Sequence, residues 1–530
     1  MKKTRKILFL DPQSIDKFNY ENFINSLDWP FKDEEFQNFS NYLLYRYYNL
    51  LKKKSNYIFY AGLIETSMID IILNIANYNY AVSYCKKHNI KQIFSLQSNH
   101  FRKPIWKNIE NFYNIQSFPH KKNKRKLRRY IKIILFNKKL KLIKYIFSKD
   151  KKAIVSLGSF DHLKKKYLEN ENNICKFYDW IDLLNDKNKK NNYAEREKIK
   201  KILEDINNRI LIPFISDIFT NKDTRKFLIG LNKKILIKTW TKRFEDIIRL
   251  LVKLEDLKIV KKLLISETNN PFHKIIKYSC YLKGANIIDF SHGNEFGALS
   301  LRWGHQSLIS HSFNYCFENK EIKNNFIKTK KFRPTEKITK TKYISLESSY
   351  FENIRKASKN KIIKFHDNVM LIGFPMHTNR YIESPYSFFH YKLKLEILIS
   401  KILKNSRYYS IYKAHPSRLK ELGSILTDKF DSIETKNFEK VWRKAGVLIF
   451  TSLGSTTLGY ALNLPIPIVY INSEGTPLNK DILKKLKKRV AVVSNYYKNG
   501  KNTINNNNLY EAISQSKKLV NLNVTKKITG

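Results

Sequence analysis

Short apolar runs punctuate the chain and are separated by longer amphipathic or charged stretches. In the first half they fall at Lys6–Leu10, Tyr57–Tyr60, Gln92–Leu96, Ala153–Leu157, Ile235–Lys238 and Ile287–Phe290. In the second they fall at Tyr315–Phe317, Lys342–Ser345, Asn368–Ile372, Tyr408–Tyr412, Val447–Phe450, Ile466–Ile471 and Val490–Val493. Runs of this length suit strands buried on both faces, and most intervening stretches are long enough for a helix. The alternation predicts an α/β chain of parallel sheets covered by helices.

The pattern lapses between Glu318 and Lys340, which is polar, densely charged and contains Pro334. We therefore expect an N-terminal domain over 1–317, a linker over 318–341, a C-terminal domain over 342–510 and a frayed tail over 511–530. A second lapse runs from 120 to 152, where seven Lys and Arg between Lys121 and Arg129 precede the apolar Tyr130–Phe147. As a helix, Ile131, Ile134, Leu135, Leu142 and Ile146 share a face. Over 121–147 this is either a core helix with a solvated edge or an insertion lying on an anionic membrane. Each basic residue would add about 1 kcal/mol at such a surface.

At 530 residues the chain exceeds one ordinary core, and 42% hydrophobic content supplies material for more than one. Lys and Arg outnumber Asp and Glu by 100 to 46, giving a net charge of +54 that attracts phosphorylated ligands, membranes and nucleic acids alike. Because nearly every segment is Lys-rich, the excess reads as drift of the whole composition. No zinc-finger, KH or RRM pattern accompanies it, so no specific nucleic-acid partner is expected. Cys85, Cys175, Cys280 and Cys316 are widely spaced, which points to reduced thiols and away from a disulfide framework or a cysteine zinc site. Met1–Arg5 resembles the start of a signal peptide, but Ile7–Leu10 is too short for its apolar core and suits a buried strand. The uncharged stretch Gly446–Ser473 contains Gly454, Asn463, Pro465 and Pro467, which fit strand, loop, helix and strand better than a membrane span. A cytoplasmic protein follows, with peripheral attachment through the basic insertion as an option.

Three motifs sit after expected strands. The first is Asp289-Phe290-Ser291-His292-Gly293-Asn294-Glu295-Phe296-Gly297. Gly293 and Gly297 permit a tight turn and close backbone approach. His292, at the carboxyl end of a strand, is placed to face a cleft and to act as general base on a hydroxyl. Glu295 either orients that ring or is itself the base. The second is Lys413-Ala414-His415-Pro416-Ser417-Arg418. Pro416 biases His415 toward extended backbone, and Lys413, His415 and Arg418 form a donor set suited to a phosphate leaving group. The third, Thr451-Ser452-Leu453-Gly454-Ser455-Thr456-Thr457, lies between an apolar strand and a helix. Ser452, Ser455 and Thr456 are good N-cap residues, and a helix start is an anion site. It is not a P-loop, because no Gly-Lys-Ser/Thr follows. No Asp-x-Asp metal anchor is evident, so no metal or resident cofactor is expected.

Over about 280–475 the motifs and their order resemble the HP-motif GT-B transferases of bacterial surface carbohydrates. These include the capsule Kdo transferases, the polysialyltransferases and the CDP-glycerol-dependent teichoic-acid polymerases. The 283–297 stretch, followed by Trp303, also looks like a less characterised family of surface-carbohydrate transferases. The resemblance implies a GT-B-like fold: two Rossmann-type domains facing an interdomain cleft. It puts His292 at the acceptor-activating position and His415 with Pro416 at the nucleotide phosphate. Ser452, Ser455 and Thr456 then match the hydroxyl loop, which contains Gly454. Leu458-Gly459-Tyr460 departs from the pattern, lacking the acid with which many sugar-nucleotide enzymes bind ribose. That shifts the expectation toward a cytidine donor, a CMP-sugar or CDP-polyol, and a glycan or lipid-linked acceptor. The alternatives are a sugar-nucleotide epimerase, a non-catalytic carbohydrate-assembly partner of the same fold, or a basic nucleic-acid-binding protein.

Overall fold

The computed structural model describes residues 7–9, 80–96, 117–119, 154–157, 162–169, 175–178, 193–231, 261–266, 283–291, 312–329, 340–359, 367–373, 386–415, 426–453, 455–474, 478–498 and 501–530, with single residues between 26 and 53 and between 273 and 281. The basic segment 120–152 lies outside them.

The strands among the described residues form three sheets. β1 (Ile7–Phe9), β2 (Lys91–Leu96) and β3 (Ser117–Pro119) make a small parallel sheet in chain order. β4 (Ile154–Leu157), β5 (Cys175–Tyr178), β6 (Lys262–Ile265), β7 (Asn286–Phe290), β8 (Asn314–Phe317) and β9 (Lys342–Ser345) make a second, all parallel, in the order β5-β4-β6-β7-β8-β9.

The third sheet holds β10 (Asn368–Ile372), β11 (Tyr409–Lys413), β12 (Ser432–Glu434), β13 (Val447–Phe450), β14 (Ile468–Ser473), β15 (Ala491–Lys498) and β16 (Lys501–Thr503). Its order is β12-β11-β10-β13-β14-β15-β16, parallel except for the final hairpin. Numbered from β10, the parallel strands read 3-2-1-4-5-6, the order of a dinucleotide-binding α/β domain. Among the described residues the two larger sheets are thus parallel α/β sheets apart from that hairpin, as the alternation predicts.

Side-chain alternation divides the third sheet cleanly. Val369, Leu371, Tyr412, Val447, Ile449, Val469 and Ile471 join a core with the Tyr386–Lys404 and Asn506–Ser516 helices. Met370, Ile372, Ile411, Leu448, Phe450, Ile468 and Tyr470 face the opposite core. Both sets are buried, which explains why these strands read as unbroken apolar runs.

The boundary between the halves differs from the sequence reading. β9 begins at Lys342, yet it pairs with β8 and completes the second sheet. The expected linker contains a helix, Lys320–Thr329, which buries Ile322 and Phe326 in one core with Tyr315, Phe317, Phe351, Met370 and Phe450. Its charge is the solvated side of a narrow-faced helix, which is why it read as linker. The second sheet therefore shares packing with the third. Phe9 of β1 likewise joins the third sheet's core.

The expected frayed tail is also structured. It forms the end of the Asn506–Ser516 helix and all of Leu522–Thr529, which buries Thr525, Ile528 and Thr529. Arg355 donates to Asn463 Oδ1 (2.5 Å) and to the Gly530 carbonyl (2.7 Å). Asn319 Nδ2 donates to the Thr529 carbonyl, and Thr525 Oγ1 to the Leu462 carbonyl at 2.9 Å.

Candidate functional site

In the third sheet the chain leaves β10 in one direction for β11 and β12, then returns to place β13 on its other side. Outside the carboxyl ends of strands flanking such a reversal, an open α/β sheet leaves a crevice that helices do not cover. The register sets Ile372 beside both Lys413 and Phe450, so Gly373, the Ala414–His415 turn and Thr451–Ser452 emerge at one level. Two of the three motifs therefore arise at the same reversal point. His415 and Ser452 are both half-buried there. Pro416, Arg418 and Gly454 lie outside the described residues.

Lys413 is set differently from the half-buried His415. Its side chain is buried, and Nζ donates to the Ala414 carbonyl at 2.6 Å. Burial lowers its pKa below the ordinary lysine value, against the opposing pull of Glu434 and Glu439. The ammonium thus braces the turn that carries His415. Glu434, at the end of the neighbouring β12, receives Lys444 Nζ at 2.6 Å.

Beneath the crevice runs a polar support that the sequence motifs did not include. Glu396, fully buried on the Tyr386–Lys404 helix, accepts the Tyr412 hydroxyl at 2.9 Å. Four residues earlier on that helix, buried Lys392 donates to the Thr451 carbonyl, where the hydroxyl loop leaves β13. Gly373 is required by the same packing. A Cβ there would stand 2.6 Å from Tyr412 Cζ and 3.0 Å from the Lys413 carbonyl oxygen. The available signal was Lys392 and Glu396 at i, i+4 in a Leu- and Ile-rich stretch, a spacing that puts both on one helix face.

The hydroxyl loop reaches the short Thr456–Leu462 helix through Ser455, whose extended backbone makes it the N-cap, although its side chain makes no capping hydrogen bond. Thr456 is exposed and Ser455 half-buried, so both hydroxyls are within reach of solvent. Leu453, between the two serines, is buried in the core that also receives Tyr350.

The first motif is described only as far as Ser291, whose N–H donates to the Cys316 carbonyl at 3.0 Å. His292, Gly293, Glu295 and Gly297 lie outside the described residues, and so does the facing of His292 toward His415. Upstream, Asp289 is fully buried and ion-paired with Lys277 at 2.9 Å. Burial raises its pKa, with Lys277 opposing.

A second constellation stands at this end of the sheet. His162 Nε2 hydrogen-bonds Glu318 Oε2, and the His162 ring stacks on Tyr350 with centroids 3.9 Å apart and planes at 14°. Glu318 is 4% exposed, and its other oxygen, Oε1, is buried without a hydrogen-bond partner. Leaving a buried acceptor unmatched costs about 1–3 kcal/mol, more when it is charged. Residues 162, 318 and 350 come from three separate segments, which hides the grouping from any local motif search.

No family model matches the sequence, and no curated protein matches it. Among solved structures, one similar chain is a protein assigned as a UDP-N-acetylglucosamine 2-epimerase from Listeria monocytogenes. It is 12% identical, with a TM-score of 0.36 over 72% of this chain and 91% of the other. Another is Os79 from O. sativa, solved with UDP and deoxynivalenol-3-glucoside. It is 10% identical, with a TM-score of 0.35 over 75% and 92% of the two chains.

Cys85, Cys280 and Cys316 are buried free thiols whose pKa values burial raises to about 12, which leaves them protonated and poor nucleophiles. No group of three or more His, Cys, Asp or Glu side chains among the described residues converges as a metal site. No helix among them is long and apolar enough to cross a membrane.

Proposed function

We propose that this chain is a nucleotide-donor transferase, moving a sugar or polyol from a nucleotide-activated donor onto a glycan or lipid-linked acceptor. The observation that carries the reading is the 3-2-1-4-5-6 sheet, with His415, Ser452 and Ser455 at its reversal point. The donor phosphates take the hydroxyls of Ser452, Ser455 and Thr456 on one side and the His415–Pro416–Arg418 turn on the other. Lys413 holds that turn from below. A cytidine donor is favoured because Leu458-Gly459-Tyr460 offers no carboxylate to a ribose.

Charge develops on the leaving phosphate as its bond to the transferred group breaks, and fixed donors aimed at that charge lower the barrier. His292, with Glu295 beside it in sequence, holds the acceptor against the donor. The protein acts in the cytoplasm, with 121–147 as an optional attachment to the inner face of the membrane.

The test is transfer by His415→Ala and His292→Ala with the donor that binds. Each should lower turnover about 100- to 1,000-fold while leaving thermal unfolding unchanged. Near-normal transfer by both variants would refute the roles. Conversion of a nucleotide-sugar without any acceptor would replace the transferase reading by the epimerase one.

A further inference from the structure

We propose that Glu318, oriented by His162, binds the acceptor hydroxyl and takes its proton. The assignment deepens the transferase reading and rests on it. Three observations carry it.

The first is the half-used carboxylate. Oε2 is engaged by His162 Nε2, while Oε1 is buried without a partner. An acceptor hydroxyl supplies the missing donor. The imidazole fixes the carboxylate plane, and the Tyr350 stack fixes the imidazole.

The second is position. Glu318 follows β8 directly, and Ser291 bonds to the same strand through the Cys316 carbonyl. The pair therefore stands at the strand ends from which the His292 loop departs, where an α/β sheet receives ligands.

The third is continuity with the donor side. Tyr350 packs against the core that buries Leu453, the residue between Ser452 and Ser455. The hydroxyl loop and, through Tyr350, the His162–Glu318 pair thus border the same core.

In the transfer step the acceptor O–H bond breaks and its proton passes to Glu318 Oε1. The acceptor oxygen forms the new bond to the transferred group. The bond from that group to the nucleotide phosphate breaks, and the phosphate leaves with the electron pair. A substrate of this chemistry is a sugar or polyol hydroxyl.

The experiment compares full-length wild type, Glu318→Gln and His162→Phe, the last keeping an aromatic ring for the Tyr350 stack. Nucleotide-induced thermal shifts with CMP, CDP, UDP and GDP are measured first. Release of nucleotide from the corresponding activated donor is then followed with a panel of mono- and disaccharide acceptors. The assignment predicts wild-type thermal shifts in both variants, a 100- to 10,000-fold loss of release in Glu318→Gln and a smaller loss in His162→Phe. Wild-type shifts with release by Glu318→Gln within threefold of normal would overturn this assignment alone. No shift, or no release, by wild type would remove the transferase reading and this assignment together.

Discussion

At the scale of single residues, Gly373 shows how closely the reversal point is built. The Tyr412 hydroxyl, held by Glu396, occupies the space a side chain at 373 would need. Gly373→Ala should therefore displace a buried aromatic ring and cost about 1–3 kcal/mol, the usual penalty for overpacking a filled site. Urea denaturation checks it, and an unchanged midpoint would mean that the ring yields freely. Lys413 carries the complementary lesson. From sequence alone it belongs with His415 and Arg418 as a phosphate donor, because all three are basic and adjacent. In the structure the Lys413 ammonium is buried and donates to the Ala414 carbonyl. Residue type alone does not tell a buried ammonium from an exposed one.

At the scale of elements, β7 depends on a charge pair its apolar neighbours conceal. Lys277 and Asp289 are both fully buried, with Ser312 Oγ 3.5 Å from the ammonium. Lys277→Met should cost about 3–5 kcal/mol by stranding the carboxylate, whereas Lys277→Met with Asp289→Leu should recover most of that loss. Chemical denaturation of the three proteins reads this directly. A single variant as stable as wild type would show that Asp289 is held by other groups.

The strands legible in sequence were those with no competing pattern. Val447–Phe450 and Ile468–Ser473 are buried on both faces and bounded by Gly, Ser or Pro, so the runs could mean little else. β12, Ser-Ile-Glu, escaped because an edge strand of three residues with one apolar position has no period to detect. β6 escaped for the opposite reason. Lys262–Ile265 follows the Leu-rich 249–260 stretch, where helix and strand periods overlap. The C-terminal helix was misread as frayed because its anchors are polar: Arg355, Asn319 and Asn463 bond its backbone and side chains.

At the scale of the whole molecule, two parallel sheets share a core through β8, the Lys320–Thr329 helix and Phe351, and the Leu522–Thr529 helix is tied to both halves. Motif order along the chain becomes position in space because parallel sheets bring every strand's carboxyl end to one edge. Motifs after β11 and β13 meet for that reason, although nearly 40 residues of sequence lie between them. The net charge of +54 adds general attraction for phosphorylated ligands. In the proposed function, selectivity comes from the reversal point.

The most direct test is a thermal-shift titration of wild type and His415→Ala with CMP, CDP, UDP and GDP at physiological salt. Saturable stabilisation of wild type, largest with a cytidine nucleotide and amounting to about 2.7 kcal/mol at 100 times the dissociation constant, should shrink sharply in the variant. Equal stabilisation of both proteins, or none by any nucleotide, would contradict the account.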